Sequence, residues 1–243
     1  MIPHSRIVFA GPSLYGIPPE RLAGIHLRPP AAKGDILASV AEAPAAIGII
    51  DGTFENGTAI WHKEILVALE SGIPVLGAAS MGALRAAECA AFGMIGIGSV
   101  YRDYAEGRRT SDADVAIAHA PAALQYRPLT EALVDIEATL EQMAALGLLA
   151  PDLADRLRDA ARQLHFKARI WPAIIAAAGV PADLLESLAT HRVSRKSEDA
   201  LALIAAIRAL PENAPGSSLL PAPLNRTLFL DELEREMAGR SLS

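Results

Sequence analysis

The hydrophobic pattern of this chain changes character near Pro128. Before it, short apolar runs alternate with amphipathic stretches. Arg6–Leu14 (RIVFAGPSL) is a short run with β-branched residues that ends in Gly-Pro-Ser, the mark of a buried strand stopping in a turn. Asp35–Glu42 follows the Pro29-Pro30 breaker and predicts a short helix. Ala46–Asp51 (AIGIID) predicts a second buried strand that ends in Asp-Gly. Ala59–Ser71 sets Trp61, Ile65, Ala68 and Leu69 on one face, an amphipathic helix closed by Gly72 with Pro74 after it. Ile73–Gly77 predicts a third strand, and Ser80–Phe92 a helix ended by Gly93.

Strand and helix alternating in this way imply parallel strands joined by crossovers. Beyond Pro128 the strand signals stop. Leu129–Leu146, Asp152–His165, Ala182–His191, Glu198–Leu210 and Phe229–Met237 read as helices, and Pro211–Pro223 as an irregular linker. The expected fold is α/β: an open, mostly parallel sheet flanked by helices, followed by a helical C-terminal region. The expected division is an α/β core over 1–127 and a helical region over 128–243. Ligands of open parallel sheets bind outside the carboxyl ends of the strands. Three such ends carry small or polar residues: Gly11–Ser13, Asp51–Glu55 and Ala78–Gly82. They are expected to share one rim.

Composition narrows the classes. With 51% hydrophobic and 21% charged residues, the 243-residue chain buries a real core and is not disordered. A formal net charge of −6 argues against a general nucleic-acid or anionic-membrane binder. Cys89 is the single cysteine, which rules out an intramolecular disulfide and a cysteine-rich zinc site and fits a reducing compartment. No signal peptide is read at MIPHSRIVFAG and no apolar segment reaches the length of a span, so the expected location is the cytoplasm. No P-loop and no G-x-G-x-x-G is present, and no cofactor is expected.

The candidate chemistry centres on Ser80. It lies between a predicted strand and a predicted helix, among Gly77, Ala78, Ala79 and Gly82, where a sharp turn and close ligand approach are feasible. It is a nucleophile candidate, with Met81 N–H as an oxyanion donor, or else an ordinary helix N-cap. His62 and Lys63, at the start of the preceding helix, are both candidate bases; a solvated Lys63–Glu64 pair is the plain alternative. Asp51 orients one of them or simply makes an Asp-Gly turn. Gly11, Ser13, Gly52, Met81 and Gly82 are expected near the substrate. Arg85 and Glu88 either face the rim or pair with each other. Ser111, Asp112 and Asp114 form a helix-opening capping box, or with His119 the makings of a metal site; the capping box is favoured and no metal is assigned. Cys89 is expected to be a small buried hydrophobe.

These residues also carry a resemblance. Asp51–Phe54 (DGTF), Trp61–Leu66 (WHKEIL), Gly77–Glu88 (GAASMGALRAAE) and Gly93–Gly98 (GMIGIG) resemble, in order, the core pattern of the TfuA-like proteins. Pro29–Asp35 and Asp112–Ala116 are similar as well, and the clear likeness covers roughly residues 6–130. The resemblance implies a partner of a YcaO-family ATP-dependent enzyme in peptide or protein backbone thioamidation. It implies sulfur supply by hydrolysis of a thiocarboxylated ubiquitin-like carrier. On that expectation Ser80 attacks the thiocarboxyl carbon, sulfide leaves, and water clears the acyl-Ser80. His62 or Lys63 is the base, held by Asp51, while Met81 N–H and the Gly52 region hold the oxyanion. The alternatives are a non-catalytic adaptor that activates YcaO and recruits the carrier, and a small-molecule hydrolase on the same rim. Homo-oligomerisation stays open.

Overall fold

The computed structural model describes residues 5–53, 58–211 and 216–240. Five strands form one sheet: β1 (Arg6–Phe9), β2 (His26–Arg28), β3 (Ala46–Ile49), β4 (Val75–Ala78) and β5 (Ile95–Ile97). Every pairing is parallel and the order is β2-β1-β3-β4-β5. The α/β expectation holds, with the sheet wholly parallel among the described residues. This doubly wound order reverses direction between β1 and β3, so a crevice opens at the carboxyl ends of those two strands.

The central strands β1, β3 and β4 are apolar on both faces, which is why they read as continuous runs rather than alternating ones. One face carries Ile7, Phe9, Ile47, Ile49 and Val75. It packs on helices α2 (His62–Glu70) and α3 (Met81–Cys89), with α1 (Asp35–Val40) beside α2. The other face carries Val8, Ala46, Ile50, Leu76 and Ala78, and is covered by Ala200, Leu203, Ile204 and Ile207 of α9 (Arg195–Ala209). A helix from the far end of the chain therefore completes the sandwich around the sheet. Helices α5 (Leu133–Ala145), α6 (Pro151–Gln163), α7 (Trp171–Ala178) and α8 (Leu184–Thr190) build a second core of their own. The chain also forms α4 (Gly98–Ala105) against α3 and α9, and α10 (Leu228–Arg240). Among the described residues no helix is long and apolar enough to cross a membrane.

Four elements differ from expectation. The sequence predicts neither β2, β5, α4 nor α7. Strands β2 and β5 have three residues each, too short for a periodic signal, and Gly96 interrupts β5. The Ser111 box does not open an α-helix. Asp112–Asp114 makes a single 3-10 turn, Ser111 makes no side-chain cap bond, and the chain runs on to an isolated antiparallel bridge between His119 and Pro128.

Two local devices set the frame. Gly82, in the first turn of α3, lies so close to β3 that a Cβ there would sit 1.7 Å from the Ile49 carbonyl oxygen. Its N–H donates to Ile50 O at 3.1 Å. Glu64 is fully buried, accepting N–H bonds from Gly34 (2.8 Å) and Trp61 (3.0 Å), and it joins the α1 and α2 starts. Burial is the largest influence on its carboxyl, raising its pKa from 4.5 to about 6 against the pull of those bonds.

Two expectations follow. Gly82→Ala should lower stability by about 2–3 kcal/mol or more in denaturant titrations, because the clash is with backbone that cannot rotate away. For Glu64, the folded state retains a proton between pH 4.5 and about 6 that the unfolded chain has released. Its contribution is greatest below 4.5 and is lost as pH rises through 6. Relative to Glu64→Gln, the wild-type protein should therefore lose roughly 2 kcal/mol between about pH 4 and 7, measured by thermal melts across pH.

Candidate functional site

The carboxyl ends of the strands converge as the parallel order requires. After β3 the chain reaches Asp51, whose side chain is buried. Its Oδ2 accepts N–H bonds from Gly11 (2.9 Å) and Ser13 (3.0 Å), and its Oδ1 accepts the Ser13 hydroxyl at 2.7 Å. Asp51 thus holds the loop after β1 rather than a base. Ser13 is fixed from its other side, its carbonyl accepting the Ser197 hydroxyl at 2.8 Å. Gly11 and Ser13 are occupied in this clamp, and neither lines the cavity described next.

Ser80 follows β4 through a tight three-residue turn. Its N–H donates to Ala78 O at 2.7 Å, and Ala79 between them has φ +66°, a left-handed conformation that costs a residue with a Cβ energy. Ser80 occupies the N-cap position of α3, yet its hydroxyl makes no capping bond. It is half-buried and lines a cavity of about 190 Å³ together with Asp51, Gly52 and Met81. Among the described residues, the N–H groups of Gly52 and Met81 have no hydrogen-bond acceptor. The Gly52 backbone and Met81 are in close contact, since a Cβ on Gly52 would stand 2.7 Å from Met81 Cγ. A hydroxyl without a partner beside two free amides is an arrangement suited to acyl chemistry.

The structure does not bring His62 or Lys63 to this cavity. His62 Nε2 stands 2.8 Å from Glu88 Oε2, and the same oxygen accepts from Arg85 at 2.6 Å. Arg85 also donates to Ile60 O at 3.1 Å. These three side chains form one cluster bridging α2 and α3, so Arg85 and Glu88 pair with each other instead of facing the cavity. Lys63 Nζ donates to Asn225 O at 2.6 Å on the exposed side. The face that buries Glu64 and Ile65 turns both candidate bases away from the rim. Gly82 is taken up by its packing on β3 and does not line the cavity. Glu55, at the tip of the predicted rim, lies outside the described residues.

Other residues line the cavity in their place: Lys196, His119, Lys167 and Asp112. Lys196 is buried at the start of α9, and its Nζ donates to Val115 O at 2.8 Å. His119 is exposed, with Nδ1 2.9 Å from Ala120 O. A ring nitrogen facing a carbonyl must carry the proton, which leaves Nε2 as the acceptor in the neutral ring. In sequence, Lys196 sits in an Arg-Lys-Ser-Glu run that looks like a solvated helix start, and His119 appears only as a partner of Asp112 and Asp114. Asp114 instead pairs with Arg109 at 3.1 Å, and no group of three His, Cys, Asp or Glu among the described residues could hold a metal ion. Cys89 is buried, and burial first, with Glu88 second, pushes its thiol up to about 11. It is inert as a nucleophile near neutral pH.

A family model described as TfuA-like protein matches residues 51–170. Over this span the chain belongs to the TfuA-like family. A search of curated proteins finds no match. The TfuA-like span holds Asp51, Gly52, Ser80, Met81 and His119, whereas Pro12, Pro30 and Lys196 come from outside it. The cavity is thus closed by parts of the chain that flank the matched region.

Asp51→Ala would strand three buried donors and should cost about 3 kcal/mol or more. Ser13→Ala removes one of the three and should cost about 1–2 kcal/mol. The double variant should lose less than the two together, since both act on one clamp, and chemical denaturation of the four proteins measures this.

Proposed function

We propose that this protein supplies sulfur to a YcaO-family ATP-dependent enzyme in backbone thioamidation, in the cytoplasm, by hydrolysing the C-terminal thiocarboxylate of a ubiquitin-like carrier. The TfuA-like match supports the choice of partner and substrate in this reading. The observation that supports a catalytic part is the Ser80 hydroxyl, which stands at a helix N-cap position, makes no capping bond and lines a cavity.

In this reading Ser80 Oγ attacks the thiocarboxyl carbon and His119 Nε2 accepts its proton. Negative charge that develops on the substrate oxygen falls to the free N–H groups of Met81 and Gly52. The C–S bond breaks, His119 returns the proton to sulfur, and hydrosulfide leaves with acyl-Ser80 behind. Water then attacks the ester, giving a proton to His119, and Ser80 recovers its hydroxyl as the carrier departs with an ordinary carboxylate. His119 takes the base role expected of His62 or Lys63, because it lines the cavity and they do not.

Purified protein should release sulfide from thiocarboxylated carrier without YcaO, and Ser80→Ala should reduce the rate about a thousandfold or more. His119→Ala should lower turnover by about a hundredfold or more, whereas His62→Ala and Lys63→Ala should stay within about twofold of wild type. Wild-type rates from Ser80→Ala would refute the nucleophile. No release by the wild-type protein alone would favour an adaptor.

A further inference from the structure

Lys196 is the least explained charge in the molecule. Its backbone is fixed by Asp135 of α5, a fully buried carboxylate that accepts Lys196 N–H at 3.0 Å and the Ser194 hydroxyl at 3.2 Å. Burial raises the pKa of Asp135, and the nearby Lys196 charge pulls it back down. The Lys196 side chain is only 3% exposed. Its ammonium has three donors, of which one is used, by Val115 O. Among the described residues no carboxylate lies within 4.0 Å of Nζ. Asp135 offsets part of the cost of burying this charge through space, but with no carboxylate in contact and two ammonium donors unused, that cost falls further if an anion is taken up beside it. Lys196 lines the Ser80 cavity of about 190 Å³ and also a smaller one of about 40 Å³ shared with Asp135 and Arg192; the larger of the two has room for a ligand group.

The other charged groups around that space leave room for one anion. Asp51 has both oxygens occupied by Gly11 and Ser13. Asp112, Lys167 and His119 line the cavity with exposed side chains. The free amides of Gly52 and Met81 add two uncharged donors. The volume, about 190 Å³, is below the ~300–1,000 Å³ of sites that enclose a whole small molecule. It suits the tip of a longer ligand.

We infer that the Ser80 cavity is a recognition site for the terminal carboxylate or thiocarboxylate of a peptide tail, with the Lys196 ammonium as its charge partner. The catalytic meaning of this rests on the proposed hydrolysis; the binding does not. A thiocarboxylate is an anion that resists attack by an oxygen nucleophile gaining negative character. A buried ammonium paired with it lowers that repulsion and also binds the carboxylate product.

The test compares binding of an N-acetylated peptide ending in Gly-Gly with a free carboxylate, the same peptide as its C-terminal amide, and sodium acetate, by isothermal titration calorimetry. The wild-type protein should prefer the carboxylate peptide over the amide by about tenfold or more, and bind acetate far more weakly than the peptide. Lys196→Met, which keeps the length of the side chain, should abolish the preference, as should Lys196→Gln should the methionine variant not fold. Ser80→Ala should retain it. Equal binding of the two peptides by wild type, no binding of either, or a preference that survives in the Lys196 variant overturns the inference, and equal affinity for acetate overturns the peptide tail. If Ser80→Ala still hydrolyses thiocarboxylate while the carboxylate preference depends on Lys196, the hydrolysis mechanism fails and this site stands.

Discussion

The carboxylate of Asp51 is the constraint on which the rim of this molecule depends. Three donors converge on it, all from the loop after β1. Through Ser13 it reaches Ser197, and so fixes where α9 begins. Its own carbonyl accepts Ala31 N–H at 2.9 Å, which draws in the segment after β2. One residue at the end of β3, through its side chain and its carbonyl, thereby ties the ends of three strands to a helix whose Ser197 bonds Ser13 across 184 residues. Burying a carboxylate costs several kcal/mol, and three charge-assisted bonds offset that cost only if all three are present. The geometry at the switch point therefore depends on all three bonds acting together.

The same solution recurs. Glu64 holds Gly34 and Trp61, Asp135 holds Lys196 and Ser194, and Asp199 accepts from Ser99 N–H at 2.9 Å and Val100 N–H at 2.7 Å at the start of α4. Each carboxylate sits on one element and caps the start of another, satisfying amides that helix starts leave open. Short loops rich in glycine and proline supply few side-chain caps of their own. A negative group lent by a neighbouring element does the capping and sets the relative position of the two elements in the same stroke.

This explains what could be read from the sequence. Strands β1, β3 and β4 show as apolar runs, their parallel order follows from the helices between them, and Ser80 and Asp51 fall on one rim for that reason alone. His62 and Lys63 are near Ser80 in sequence but do not line its cavity, because closeness in sequence is not closeness in space. His62 and Lys63 precede β4 by a helix whose buried face is set by Glu64 and Ile65, and that face directs them to Glu88 and Asn225. Lys196 was invisible because a lysine among Arg195 and Glu198 resembles any charged helix start. Its burial comes from Asp135 and Val115, 61 and 81 residues away, which no local pattern encodes.

The electrostatics of the cavity also run against those of the chain as a whole. A net charge of −6 describes the surface and sets the long-range field, yet within a screening length of about 8–10 Å only local groups count. Locally, the one fully buried acid at the cavity is saturated by its own loop, while Lys196 keeps donors to spare. In the proposed reading, an acidic protein thus offers a lysine with spare donors to an anionic chain end while repelling polyanions at large. On that reading the combination favours a single terminal charge on a slender tail, since such a group leaves the unfavourable outer field and reaches Lys196.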